Sequence, residues 1–368
     1  MSTPIPGVTY TRTHFDSAQW RAPGRAPLSV GREALVPGTY IPGPGTTGVI
    51  AGTTLTPVEA SASGNILLTE AGRTYENMEF WGQVQFRAPG ITLRNCAIRG
   101  RNPDTLTVNT GCIKSFDSTS YHATLIDCTI DMTPWVDERG ASKLSGFTFG
   151  IHGGNLELYR CEITGVQDGW NFVGHTLMAG AASFADMFTV IEASWIHGMY
   201  FENDFPGTSD RRFHSDCFQF NTGKNIDIRY NLIGGHRDMT GYRTWPSGYN
   251  SGDDAWNAAF MIKQELDASE ASRIDNVRIH GNWIAGGTAG INHYFVASRP
   301  NAFATMEVTD NRFLQRGTGW GTSASGPGAY DSGNGWYVIR SSQIAATYSG
   351  NVIHETGTPV PITTGSSG

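Results

Sequence analysis

Three tetrapeptides share one pattern: Asp168-Gly169-Trp170-Asn171, Asp216-Cys217-Phe218-Gln219 and Asp254-Ala255-Trp256-Asn257. Each precedes a different copy of a longer internal repeat. If that repeat coils as a solenoid, Asp168, Asp216 and Asp254 stack on neighbouring coils. Carboxylates in such a column raise one another's pKa by like-charge repulsion or hold a cation, which makes Ca²⁺ a candidate ligand. Cleaving a glycosidic bond needs one protonated carboxyl as acid and one ionised carboxylate as base or nucleophile. Adjacent coils would set two carboxyls ~5 Å apart and alternate coils ~10 Å, which brackets the retaining and inverting separations. The competing reading is structural: an Asp at this position caps a turn before its strand by accepting backbone N–H bonds.

Flanking residues extend the column into a site. His214 stands two residues before Asp216, so on an extended strand both point to one face. Lys263 ends the strand that begins at Trp256. A cation there could neutralise a uronic acid while a base takes the C5 proton, which is β-elimination. The catalytic candidates are therefore Asp168, Asp216, Asp254, His214 and Lys263. For substrate contact the candidates are Gln219, Glu202 and the run His236-Arg237-Asp238. Trp245 and Tyr249, in the loop GYRTWPSGYNSGDD, can stack on sugar rings, whereas Trp170 and Trp256 on strands suit a core. No P-loop, GxSxG elbow, HExxH helix or dinucleotide fingerprint occurs.

These side chains need a scaffold that repeats. An eight-residue pattern starts at Tyr75, Leu93, Leu125, Leu158, Ile191, Ile228, Ile279, Val308 and Tyr348: apolar, two polar, small or amide, any, apolar, any, often Gly. The copies keep their form while their spacing runs from 18 to 51 residues, so loops must absorb the difference. The fourth position reads Met78, Cys96, Cys128, Cys161, Ser194, Asn231, Asn282, Asn311, Asn351. In a parallel coil like residues stack ~4.7–4.9 Å apart, which predicts an amide ladder after a buried column of free thiols. A second strand lies upstream of most copies, as in GCIKSF, GFTFGI, GWNFVG, CFQFNT and AWNAAFMIK. Matching these strands puts Thr110, Ser145, Asp168, Asp216, Asp254, Asn292 and Asn334 in one column. The expected fold is all-β, a right-handed parallel β-helix of about nine coils over residues 71–356. Residues 1–70, rich in Pro and Gly, read as an attachment or cap segment, and 357–368 as a tail. The long loops between Gly235 and Asp254 and between Gln264 and Asp275 should build the binding face.

Composition agrees and excludes other classes. Gly makes up 46 of 368 residues, above the usual ~7%, and charged residues at 16% fall below the usual ~25%. The net charge of −7 supplies no basic field for nucleic acid or an anionic membrane. No apolar run reaches the ~18 residues of a membrane span. Five cysteines match no zinc spacing. Four of 26 basic residues are lysines, and the N-terminus MSTPIPGVTYTRTHF lacks a basic-then-apolar signal peptide.

ITLRNCAIRG and VRIHGNWIAGG, with the strand HSDCFQF, resemble the right-handed parallel β-helix superfamily of pectate lyases, polygalacturonases and phage tailspikes. The opening GTTGVIAGTTLTPVEA and the following ILLTEAGRTYENMEF are similar to the start of β-helical minor tail proteins of actinobacterial phages. Against the polygalacturonase pattern the chain offers Asp168, Asp253-Asp254 and Met261-Ile262-Lys263, but lacks the Gly-His-Gly and has Met261 in place of the Arg. The resemblance implies a virion tail protein that acts outside the host cell, beside other phage tail proteins. It implies binding, with cleavage by hydrolysis or elimination, of a host surface polysaccharide, and it admits a homotrimer. A non-catalytic tail adhesin and a secreted bacterial polysaccharide lyase are the alternatives. Buried aspartates bonded to backbone amides would favour the adhesin; aspartates in an open groove would favour the enzyme.

Overall fold

The computed structural model describes residues 37–38, 40–43, 45–105, 110–115, 121–142, 148–172, 188–199, 216–234, 258–262, 274–285, 289–293, 306–313, 339–341, 346–353, 357–360 and 362–363. Three wholly parallel sheets, A, B and C, of ten, ten and nine strands run the length of the chain. Each coil gives one strand to each sheet in turn, as in Asp168–Phe172 (sheet B), Thr189–Glu192 (sheet C) and Trp195–Ile196 (sheet A). This is a parallel β-helix, with the right-handed winding that parallel crossovers adopt. Among the described residues the one α-helix is the single turn Pro134–Asp137.

The repeat is what closes each coil. Its first position forms the inward row of sheet C, from Tyr75 through Leu158 and Ile228 to Tyr348. Its sixth forms the inward row of sheet A, from Phe80 through six isoleucines and Phe313 to Ile353. Sheet B completes the core with stacked rings: Trp170 on Phe172, Phe172 on Phe220 and Phe218 on Phe260. Each such side chain withdrawn from water contributes about 1.5–3 kcal/mol, so the apolar positions cannot drift between copies.

The corner between sheets C and A is a bend of one or two residues on every coil. The third position of each copy holds a left-handed backbone there: Asn77, Asn95, Asp127, Arg160, Ala193, Tyr230, Gly281, Asp310 and Gly350, with φ between 50° and 66°. The next residue points inward and forms the ladder. Asn231, Asn282 and Asn311 each donate from Nδ2 to the amide oxygen of the following Asn, at 2.9–3.0 Å. That same oxygen accepts their backbone N–H, at 3.0–3.1 Å. Ser194 joins through its N–H to Asn231 Oδ1 at 2.8 Å, and Cys161 N–H donates to Ser194 Oγ at 3.0 Å. Upstream the column continues as Cys161, Cys128 and Cys96, all buried free thiols.

The ends depart from the sequence reading. Thr56–Glu59 and Asn65–Leu68 already pair into sheets A and B, inside the segment read as a cap. Ile362–Thr363 adds a last strand to sheet B, inside the segment read as a tail. These coils lack the eight-residue corner, so the pattern that finds the others cannot find them. Upstream of Thr56 the chain lies along the C–A corner. Gly48 N–H donates to Arg160 O at 2.9 Å, Val49 N–H to Thr129 Oγ1 at 2.9 Å and Ile50 N–H to Asn95 Oδ1 at 2.7 Å.

Candidate functional site

The loops are distributed unevenly around each coil. The C–A corner never spends more than two residues. By contrast the connections 173–188, 197–215, 235–257, 263–273, 294–305 and 314–338 all leave or reach an end of a sheet B strand. The variation in coil length therefore falls in the connections that enter or leave sheet B, and variable loops on one side of a solenoid are where a binding face is built.

Its outward row follows from strand register. Leu67, Gln85, Lys114, His152, Asn171, Gln219, Met261, Asn292, Arg340 and Thr363 succeed one another on ten neighbouring strands. They alternate with core residues such as Ile113, Ile151, Phe172, Phe220 and Ile262, which fixes them to the opposite face. Lys114, His152, Gln219, Met261 and Asn292 are half-buried. Asn171 Nδ2 donates to Gln219 Oε1 at 2.9 Å, and Asn221 Nδ2 donates to Asn171 Oδ1 at 3.2 Å, so the middle of the row is held in place. Burial and the neighbouring Lys114 push the His152 imidazole down to about 4, which leaves it neutral at physiological pH. Of this row the sequence reading singled out Gln219 as a contact. Lys114, His152 and Asn171 carry their own signal, a polar residue after the inward apolar one in GCIKSF, FGIHG and GWNF.

The aspartate column is shorter than its motif suggests. Trp170 pairs with Phe218, which sets Asp168 beside Asp216, but Asp216 pairs with Ala258 and not with Asp254. The tetrapeptide match fails here because Phe260 and Ile262 must stand beside Phe218 and Phe220. A register led by Trp256 would put Ala258 in that core row instead. Likewise Thr110 pairs with Thr148 and not Ser145, and Asn292 belongs to the outward row, between Met261 and Arg340. Asp254 itself, with His214, Lys263, Glu202, His236, Arg237, Asp238, Trp245 and Tyr249, lies outside the described residues.

Asp168 and Asp216 are 4% and 1% exposed. Each carboxylate reaches to the next coil: Asp168 Oδ1 accepts the N–H of Asp216 and Asp216 Oδ1 that of Ala258, both at 2.9 Å. This is a strand-start cap repeated on two coils. Among the described residues no group of three or more His, Cys, Asp or Glu side chains is arranged to hold a metal ion. With one oxygen of each aspartate committed to an amide, the pair does not form a Ca²⁺ cradle by itself.

Burial pushes the Asp168 carboxyl up to about 7, against the donation from Asp216 N–H that lowers it. A folded-state pKa above the unfolded value means the folded chain binds the extra proton, so stability falls as pH rises from ~4 to ~7. Asp168→Asn keeps an oxygen for Asp216 N–H and cannot titrate. We expect the stability difference between wild type and Asp168→Asn to move by a few kcal/mol between pH 4.5 and 8, against the wild type at high pH. Denaturant titrations at both pH values check this, and two parallel profiles would refute it.

Of the aromatic candidates, Trp170 is core, donating Nε1–H to Gly153 O at 2.9 Å. Trp195 and Trp283 are also buried, with Leu232 between them on the outward row of sheet A. No protein-family model matches the chain, and no curated protein does. Among solved structures it is similar to the crystal structure of Dettilon tailspike protein (gp208), with a TM-score of 0.32 and 11% identity. That similarity covers 84% of this chain and 60% of the tailspike chain, so the sequence spans about three fifths of that protein.

Proposed function

We propose that this chain binds a polysaccharide along the outer face of sheet B, as a tail-associated virion protein acting on a host surface. The observation that carries the reading is the uneven coil. Every long connection enters or leaves a sheet B strand, while the outward row of that sheet is polar on five successive coils from Gln85 to Gln219 and again at Asn292 beyond Met261. Half-buried amides such as Gln219 and Asn292 both donate and accept, which suits sugar hydroxyls, and a straight row with one side chain per coil suits a linear polymer. The tail setting rests on the resemblance of the opening segment and on the Arg-rich, Lys-poor composition. It carries with it the proposal of tail-protein neighbours and of a homotrimer.

Cleavage of the bound chain is a second reading, favoured by one observation: a carboxyl held near neutrality beside a second carboxylate is the pairing an acid/base mechanism uses. In that reading Asp168 is the acid and Asp216 its partner, with Asp254, His214 and Lys263 as the further catalytic candidates. Glu202, His236, Arg237, Asp238, Trp245 and Tyr249 then belong to the loops that touch substrate. Burial of both aspartates ranks it second to binding alone.

The test is a panel of capsular and cell-wall polysaccharides, following binding, chain length and the ultraviolet absorbance of unsaturated products. We expect one polymer to bind and Gln219→Ala to weaken it about tenfold, the loss of one hydrogen-bonding group. Unchanged chain length means binding only. Shortening that disappears in Asp216→Asn means hydrolysis, and shortening with absorbance means elimination. Binding indifferent to Gln219→Ala would remove the binding face from sheet B.

A further inference from the structure

Before its first coil the chain runs along the C–A corner, against the direction in which the coils advance. Gly38 sits against the Tyr230 ring and Gly48 against Thr129 and Glu162, both at left-handed φ. A Cβ added at Gly48 would stand 2.5 Å from Thr129 Oγ1, and one at Gly38 2.9 Å from the Tyr230 ring. Gly48, Val49 and Ile50 bond to three successive corners, and Asn95 Nδ2 donates to Thr53 Oγ1 at 3.0 Å. The segment 38–53 thus crosses the coils from Tyr230 to Asn95. Its footprint shows in the corner itself. Asn95, Asp127, Arg160 and Ala193 are buried and Tyr230 is half-buried, whereas Asp310 and Gly350 on the later coils are exposed. Among the described residues of the segment none joins a sheet.

We propose that this segment is a releasable strap: the corner is a seat for a peptide, which the chain fills from its own N-terminal side and can vacate with the solenoid intact. The coils do not depend on it for closure. Beneath it, the N–H groups of Asp127, Arg160 and Ala193 donate to Tyr159, Glu192 and Arg229 O on the next coil, at 3.0–3.3 Å. Beyond it, Asp310 N–H makes the same bond to Ser349 O at 3.0 Å, with the corner open to solvent. A corner that stands bare on the last coils needs no cover on the earlier ones. The seated strap also leaves a donor unmet. Trp195 and Leu232 stand on the outward row of sheet A, between Glu162 under Gly48 and the coil whose Tyr230 lies under Gly38. Trp195 Nε1–H is buried there without an acceptor. Water reaching it after release offsets part of the lost contact. The hinge is the exposed pair Ala51-Gly52, with Gly52 at φ 82° and Thr53 N–H on Ile50 O at 3.1 Å. Opening there adds the strap's own length to the chain that precedes it. Sheet B is untouched, because a corner between two of three sheets lies across the solenoid from the third. The strap is therefore independent of what sheet B binds.

Hydrogen exchange on the full chain tests it. We expect the Val49 and Ile50 amides to exchange about a hundredfold faster than that of Asn231, through an opening that leaves the amide ladder closed. Gly48→Val, which drives a Cβ against Thr129, should bring Val49 and Ile50 to the rate of unprotected amides and leave Asn231 unchanged. Gly43→Ala, whose Cβ would meet nothing within 4 Å, should behave as wild type. A labelled synthetic peptide of residues 38–55 should bind the Gly48→Val chain. It should bind wild type about tenfold more weakly, because the resident strap holds the seat. Equal protection of Val49 and Asn231 in wild type, or lost protection at Asn231 in Gly48→Val, makes the segment an integral part of the fold and overturns the proposal. A peptide that binds neither chain, or both alike, overturns it too.

Discussion

Replacing Asn282 by alanine should destabilise the solenoid by about 4 kcal/mol, as much as a large cavity in the core, although it removes no apolar surface. Asn282 is fully buried and makes four bonds through its side chain. Its Oδ1 accepts from Asn231 N–H at 3.0 Å and Asn231 Nδ2 at 2.9 Å. Its Nδ2 donates to Ile228 O at 2.9 Å and Asn311 Oδ1 at 3.0 Å. Alanine leaves these groups on the neighbouring coils desolvated, at ~1–3 kcal/mol for each one that cannot find a new partner. Because a solenoid can open coil by coil, hydrogen exchange is the sharper probe. The Asn231 amide, which loses its acceptor, should exchange much faster in the variant. The Asn282 amide keeps Asn311 Oδ1 and should not lead. A loss below 1 kcal/mol, or equal acceleration at both amides, would show that the ladder is passive packing.

The fold was legible because it is periodic. First and sixth positions of the repeat recur with the same chemistry on nine coils, and each must fill the same slot. The ladder was legible for the same reason: an amide that bonds to its own kind is kept in steps, as at Asn231, Asn282, Asn311 and Asn351. The left-handed corner was not, because its occupants range from Asn77 to Arg160, Ala193 and Tyr230, and only Gly281 and Gly350 announce a positive φ. The outward row of sheet B is legible in part. Gln219 falls on the outward row of sheet B, but the tetrapeptide led by Asp254 resembles its neighbours only in letters. What sets register is the aromatic core slot, which Phe260 fills in place of Trp256. Lys114 and His152 share that outward row, but a single polar residue on a strand looks like an ordinary solvent-facing position until the coils beside it are stacked.

Arg229→Met is the second large effect we expect, about 4 kcal/mol at pH 7 to 8 and shrinking in acid. Arg229 is buried on sheet C, with Nε on Glu192 Oε2 at 2.6 Å and a second nitrogen on Asp227 Oδ2 at 2.7 Å. His280 Nε2 completes the group on Asp227 Oδ1 at 2.9 Å. Burial alone would push the Asp227 carboxyl up, but the His280 bond and the Arg229 charge outweigh it and hold it below the ordinary value. For Glu192 burial wins over Arg229 and the carboxyl sits above its ordinary value. Without the cation both carboxyls rise, the folded state takes up protons that the unfolded state does not hold at neutral pH, and stability falls with increasing pH. The deficit should therefore narrow toward pH 4.5. Adding Glu192→Gln and Asp227→Asn to Arg229→Met should recover stability at pH 8, because the penalty comes from uncompensated buried charge and not from a missing side chain. A triple variant weaker than the single one would refute that. The same variants bear on the face of sheet B proposed to bind polysaccharide. Glu192 lies on the coil whose sheet B strand carries Asn171, Asp227 and Arg229 on that of Gln219, and His280 on that of Met261. A loosened sheet C lets these three coils shift against one another, so the polysaccharide affinity proposed for sheet B should fall in Arg229→Met and return with the triple variant, although none of the three substitutions lies on that sheet.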